Sequence, residues 1–345
     1  MIETTGNAET EKYLILAQEL MRRVYADVSS DEIHTWLQSQ LGKVAAHGNE
    51  AAALEWLQSF PYYDDILSKR TERANLPASE RRELTWPWAT WNKMIDPFEP
   101  GLLAVIAAGD GMGKTIYCEE LAEHWAKAGL KVAFVHFELN RSIMLDRRAS
   151  RHARIERREL KKGPFNQALY DKWNAARNIL KQYPGEITYW HTPGWSFEQV
   201  TRTLEPEIAS GNCDVIVIDY LEKAQPSQRQ IKMYGANKWQ READDTEWMK
   251  TFAERTETPV LMLAQMSKAG KTAGSANLDR TAIRGAGEKT EKANIVVLLS
   301  RDNSDDGYLP FVNVRIDKNT LGPTGTFQQY MLGQYFSVGD IETEL

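Results

Sequence analysis

Residues 102–129 read LLAVIAAGDGMGKTIYCEELAEHWAKAG, and three textures follow one another within them. The unbroken apolar run from Leu102 to Ala108 suits a strand covered on both faces. A loop of small residues follows, Gly109-Asp110-Gly111-Met112-Gly113, and closes on Lys114 and Thr115. From Ile116 onward apolar residues recur at helical spacing. Such a loop between strand and helix turns backbone N–H groups inward, and the helix N-terminus adds positive potential, so together they cradle phosphate. Lys114 is then placed for β- and γ-phosphates, and the Thr115 hydroxyl for magnesium. The first position of this motif is usually glycine and is Ala108 here, but Gly109 and Gly111 still leave the loop free to turn. ATP and Mg2+ are the expected occupants. The nucleotide site is expected at Gly109, Asp110, Gly111, Met112, Gly113, Lys114 and Thr115.

Working outward, further strand candidates are KVAFVHF (131–137), EITYWH (186–191), DVIVID (214–219), PVLMLA (259–264), NIVVLLS (294–300) and FVNVRID (311–317). Helical patterns fill the gaps between the earlier ones. The expected fold is therefore α/β, a mostly parallel twisted sheet flanked by helices, with the closely spaced last strands forming an antiparallel edge. Asp219 ends VIVID, where a carboxylate at a buried strand tip beside the loop can hold the magnesium shell. Hydrolysis also needs a group that orients or activates water. Tyr220 stands where many phosphate-loop enzymes carry glutamate, so the candidates are Glu222 and, better placed, Glu138 at the end of the strand after the loop helix. Gln265 ends PVLMLAQ, where an amide can sense the γ-phosphate.

The chain has 345 residues, 42% hydrophobic and 26% charged, enough for one sizeable core and a small appendage. No apolar run approaches the roughly 18 residues of a membrane span. The acidic start, MIETTGNAETEKY, reads as neither a secretory signal nor a transit peptide. Cys118 and Cys213 lack any CxxC or Cys/His spacing, which leaves a disulfide framework and a zinc site unsupported; a cytoplasmic location is expected. Net charge is −6, yet residues 1–66 hold 11 acids and four bases, so the remainder is close to neutral. Residues 10–26, 31–46 and 49–59 show amphipathic helical spacing. The expected organisation is a helical N-terminal module over 1–66, a linker over 67–85 and an ATPase domain over 86–345.

Seven stretches in this order are similar to the RecA-like motor domain of hexameric replicative helicases of the DnaB type. They are WATWNKMIDPFEPGLLAVIAAGDGMGKT, FVHFELN, HTPGWSFEQV, DVIVIDYLEK, PVLMLAQMSK, IRGAGEKTEKANIVVLLSRD and DKNTLGPTGTFQQYMLGQYFSV, spanning about residues 88–338. The resemblance implies a RecA-like P-loop core with ATP held between neighbouring subunits of a ring. It also implies Lys114 at phosphate, Thr115 and Asp219 at magnesium, Glu138 as base, Gln265 as sensor and Lys318 reaching the neighbour's γ-phosphate. The family usually places an arginine finger two residues after that lysine; this chain has Thr320, with Arg315 and Arg301 as the nearby bases.

Two basic segments follow strands on the side where such rings place their pore. Residues 223–241 contain Lys223, Arg229, Lys232, Lys238 and Arg241 with no acid, and residues 267–284 contain Lys268, Lys271, Arg280 and Arg284 against Asp279. As mobile loops they suit a single-stranded DNA backbone, with Tyr234 and Trp239 available to stack on bases; as solvated loops they need no ligand. In RRASRHARIERRELKK (147–162), helical spacing sets Arg147, Arg151, Arg154 and Arg158 on one face. That face suits nucleic acid, an acidic partner surface or a salt-bridged exposed helix. Trp86, Trp88 and Trp91 read as packing or as a subunit contact. The reading is an ATP-dependent DNA helicase or translocase acting as a homo-oligomeric ring, with a recruiting protein at the N-terminal helices or the 147–162 helix and no membrane partner. Its rival is an ATP-switched loader or regulator with weak hydrolysis and little unwinding.

Overall fold

Strands that are apolar at every position need cover on both faces, and the sheet receives it. The computed structural model describes residues 83–162, 166–266, 291–304 and 307–341, together with positions 35, 68, 71, 72, 75 and 76. Its central strands are β1 (Leu103–Ala108), β2 (Lys131–His136), β3 (Glu186–His191), β4 (Val215–Asp219), β5 (Val260–Gln265) and β6 (Ile295–Ser300). A small hairpin, β7 (Asn303–Ser304) and β8 (Gly307–Tyr308), precedes β9 (Phe311–Asn319), β10 (Gly325–Leu332) and β11 (Ser337–Asp340). The main sheet runs β11-β10-β9-β6-β1-β5-β4-β2-β3. It is parallel from β6 through β3 and antiparallel from β6 through β11, which puts the antiparallel edge where the late strands predict it.

The helices are α1 (Ala89–Asn92), α2 (Lys114–Lys127), α3 (Arg141–Ala153), α4 (Arg157–Lys162), α5 (Gln167–Lys181), α6 (Phe197–Ala209), α7 (Gln228–Tyr234) and α8 (Lys238–Thr256). Alternate strand residues face opposite sides. Ile106, Phe134, Val217 and Leu263 pack with Tyr117, Leu121 and Trp125 of α2. Val105, Val135, Ile218 and Met262 pack with Phe197 and Leu204 of α6 and Met249 and Phe252 of α8. Trp86, Trp88 and Trp91 are buried in the first of these layers, so packing accounts for them. Their indole N–H groups donate to Asp96 O, Val338 O and Gln329 Oε1, which satisfies the polar edge of each buried ring.

Two expectations change. The run 147–162 is not one helix: α3 ends at Ala153, Arg154 takes a left-handed φ of 50°, and α4 restarts at Arg157. The four arginines therefore share no single face. Arg151 is buried, donating to Glu119 at 2.6 Å and to Glu123 at 2.8 Å on α2, and Arg147 pairs with Glu119. Nor is 223–241 a loop. Ser227 and Gln230 form a capping box that starts α7, and Asn237 caps α8.

The chain divides into two units, Met1–Arg81 and Arg82–Leu345, and the fold above is that of the second. The N-terminal amphipathic segments lie outside the described residues, apart from a helical Thr35. Within the stretch read as a linker, Ser68, Thr71, Glu72 and Asn75 are helical. Among the described residues no helix is long and apolar enough to cross a membrane.

Candidate functional site

Register brings the predicted residues to one end of the sheet. In the parallel ladder Ala108 lies beside Gln265, Ile218 beside Met262 and His136 beside Asp219. The tips of β1 and β5 therefore end level, those of β4 and β2 end level two residues earlier, and all four open on the end where open α/β sheets bind ligands. The Phe137 N–H continues the ladder to Asp219 O at 3.1 Å, and Glu138 follows directly.

The loop after β1 turns through Gly111 and Gly113, whose φ values are 74° and 97°. Residues other than glycine rarely hold that left-handed region. Gly113 also hands the chain directly into α2, so the free N–H groups of the first helical turn face the loop. The Lys114 ammonium donates to Ala108 O at 2.8 Å and to Gly109 O at 3.0 Å, which holds it across the mouth of the loop. Thr115 Oγ1 donates to Asp219 Oδ2 at 3.0 Å. Burial lifts the Asp219 carboxyl to about 6, above the usual carboxylate range, against the hydrogen bond from Thr115 and the charges of Arg147 and Lys114.

Gln265 is held at both ends. Its N–H donates to Glu222 Oε1 at 3.1 Å. The Gln265 side-chain amide donates to Asp110 Oδ1 of the loop. Glu138 is half exposed and pairs with Lys223, Oε1 to Nζ, at 3.6 Å. The Tyr220 ring lies beneath two ammonium groups, Lys114 at 5.8 Å and Lys223 at 5.7 Å from its centroid. Burial, followed by the Glu138 carboxylate, pushes the Tyr220 hydroxyl above its ordinary range. The sequence sets Tyr220 directly after Asp219 but assigns neither it nor Lys223 or Arg147 a part in this site. The first two follow Asp219 so closely that the strand tip was the available signal; Arg147 comes from a remote helix, and nothing local marks it.

Thr115 and Asp219 offer a magnesium ion one hydroxyl and one carboxylate oxygen. That is the donor set of a magnesium ion completed by phosphates and water. Among the described residues there is no cluster of three or more His, Cys, Asp and Glu that would compete for it. The glycine loop, the helix N-terminus and Lys114 fit a nucleotide's phosphates on the same grounds.

Lys318 stands apart. On β9 it pairs with Val296, which lies beside Val105, three residues before the end of β1, or roughly 10 Å along the strand. Its Nζ donates to Glu291 O at 2.6 Å. Arg315 pairs with Asp317 at 2.9 Å, and Arg301 donates to Leu309 O.

The nucleic-acid candidates divide. Lys268, Lys271, Arg280 and Arg284 lie outside the described residues. Arg229 is bound to Glu198 at 2.9 Å, to the Asp244 carboxylate, and over the Trp248 ring. Those contacts commit it to the fold and not to a mobile loop. Lys238 pairs with Glu242 at 3.4 Å, Arg241 is half-buried with its Nε covered, and Lys232 is exposed. Tyr234 donates to Asp244 at 3.2 Å, whereas Trp239 is exposed.

The DnaB-like helicase C terminal domain family matches residues 87–339. The replicative DNA helicase DnaB of Geobacillus stearothermophilus is 24% identical over 360 residues, covering 99% of this chain and 76% of its own. The replicative DNA helicase DnaC of Bacillus subtilis (strain 168) is 25% identical over 258 residues, covering 73% of this chain and 55% of its own. Among solved structures, a DnaB-like replicative helicase described with its interactions with primase superposes with a TM-score of 0.69 at 17% identity, covering 97% of this chain and 76% of that one. A second solved structure, an isolated ATPase domain, gives 0.68 at 19% identity, covering 81% of this chain and 98% of that one. Those two likenesses concern the fold.

Proposed function

The chain belongs to the DnaB-like helicase C terminal domain family, and on that premise we propose that it is an ATP-dependent DNA helicase or translocase working as a ring on single-stranded DNA. The observation that carries the reading is the Thr115–Asp219 contact at a sheet edge that also presents Lys114, Glu138 and Gln265. Side chains of the types that phosphoryl transfer needs lie together at four neighbouring strand ends, which supports the reading.

Bound ATP would supply the phosphoanhydride, and its magnesium would neutralise charge on the phosphate oxygens. Each residue then has one task. The loop N–H groups and Lys114 hold phosphate oxygens, and Lys114 leaves the Ala108 and Gly109 carbonyls to do so. Thr115 and Asp219 hold the metal. Glu138, half exposed and next to the tip of β4, accepts a proton from water. Gln265, now fastened to Asp110 of the loop, is placed to report whether a γ-phosphate has arrived. Lys318 lies too far along the sheet to serve its own loop, so it acts at the site of the next subunit.

The second reading, an ATP-switched accessory protein, rests on Thr320. It stands where the family's arginine finger is expected, and its N–H donates to Asn294 O at 3.1 Å within the fold. An arginine finger contributes several powers of ten in rate. ATP turnover of the wild type and of Lys114→Ala, with and without single-stranded DNA, separates the two. The helicase reading expects DNA-stimulated turnover that falls by about 10²–10³-fold in the variant, as for loss of a principal transition-state donor. Slow turnover indifferent to DNA selects the switch.

A further inference from the structure

Among the cations of residues 223–241, Arg229 is committed to Glu198 and Asp244, and Lys238 to Glu242. Lys223 also has an acid partner, and that partner is Glu138. Lys223 ends the single 3-10 turn Leu221–Lys223 that leaves β4 after Asp219. Buried Leu221 anchors this turn, and Glu222 fastens it to the Gln265 N–H. The Tyr220 ring lies under the Lys223 ammonium, with Lys114 also over it. A lysine fixed at its base and steadied by an aromatic face therefore reaches across to the carboxylate that the proposed mechanism needs free for water.

Both members of the pair are exposed, 41% for Lys223 and 52% for Glu138. An exposed ion pair of this kind is weak, biasing an equilibrium by no more than about two- to five-fold. It biases the position of Glu138 and is exchanged at little cost. A nucleic-acid backbone is a strong competitor for such a lysine, because each neutralised phosphate also releases condensed counterions.

We propose that Lys223 is a positioning residue with two alternative ligands, the Glu138 carboxylate and a phosphate of single-stranded DNA. While it holds Glu138 it restrains turnover, and when DNA takes it the carboxylate is released to accept a proton from water. The catalytic base is thereby coupled to the polymer through one side chain. This inference rests on Glu138 being the base, as proposed above.

The experiment measures ATP turnover in the full chain for wild type, Lys223→Met, Lys223→Arg and Glu138→Gln, with and without oligo(dT), across a salt series. Thermal unfolding confirms that each variant folds. Lys223→Met is expected to raise the DNA-free rate about two- to five-fold, the range an exposed ion pair allows, and to shrink the stimulation by oligo(dT) by the same factor. Salt screens exposed charges, so the DNA-free rate of the wild type should rise with ionic strength while that of Lys223→Met stays level. Lys223→Arg, which keeps the cation, should recover the stimulation. A DNA-free rate in Lys223→Met at or below wild type, with full stimulation by oligo(dT), overturns the proposal. Turnover that survives Glu138→Gln instead removes Glu138 as the base, a separate failure.

Discussion

Burial holds the Asp219 carboxyl at about 6, whereas in the unfolded chain it titrates at about 3.9. The folded protein therefore binds more protons than the unfolded one between about pH 4 and pH 6. Stability contributed by the protonated acid is lost as pH rises through that window, and above it the fold carries a buried carboxylate. Asp219→Asn is isosteric and can still accept the Thr115 hydroxyl through its amide oxygen. It should stabilise the protein at pH 7.5 by about 1–3 kcal/mol in urea unfolding while abolishing ATP turnover. The stabilisation should vanish below about pH 4, and a variant less stable than wild type at pH 7.5 would refute the account. This conflict between stability and chemistry was legible in the sequence, because VIVID ends a buried strand with a charge. The surroundings were not. Arg147, which lowers the Asp219 carboxyl, comes from α3, and only the fold brings it near. Tyr220 and Lys223 were visible by proximity, but their contact with Glu138 depends on β2 and β4 being neighbours in the sheet.

Between elements, the firmest polar joint is that of α3 on α2. Arg151 spans Glu119 and Glu123 and also donates to Phe336 O at 2.6 Å. Burial leaves Glu119 above its ordinary range despite Arg151 and Arg147; at Glu123 burial pushes upward too, but Arg151 and His152 prevail and lower it. Arg151→Met keeps the bulk and removes the cation shared by two buried acids, so a loss of about 3–5 kcal/mol is expected at pH 8. With Arg151 gone, only Arg147 remains beside Glu119 and Arg148 and His152 beside Glu123, so burial makes these acids hold protons more tightly in the fold than they do in the wild type. The deficit should therefore narrow as pH falls toward 5. A deficit that ignores pH would trace instead to the bond with Phe336 and to packing. Sequence reading missed this joint because it counted the arginines of 147–162 as one exposed face. The break at Arg154 and the acids of α2 were the missing pieces. It missed α7 although the Ser227-Gln230 box is present in the sequence, because the basic charge drew attention first. It missed β10 because Gln329, fully buried beneath Trp91 and Tyr117, interrupts the apolar alternation that marks a half-covered strand.

Across the whole molecule, the parallel strands put the phosphate loop at one end of the sheet, while β9 returns antiparallel and carries Lys318 back toward the other. A side chain there starts roughly 10 Å short of its own loop along the strand, and we propose that a head-to-tail ring instead brings it to the loop of the next subunit. If Lys318 acts so, each site has two owners. Lys114→Ala spoils a subunit's own site and leaves its Lys318 for the neighbour; Lys318→Ala does the reverse. Each variant assembled alone should be nearly inactive. When the two are mixed in equal amounts and reassembled, about a quarter of interfaces pair an intact Lys114 with an intact Lys318 by random placement around a heterologous ring. Turnover per subunit should then recover toward a quarter of the wild-type value, provided sites fire independently. Recovery that stays at the level of the separate variants would place Lys318 in service of its own subunit or of the fold. Its bond to Glu291 O would then be its main role, and the missing guanidinium at Thr320 would have to be supplied by another base.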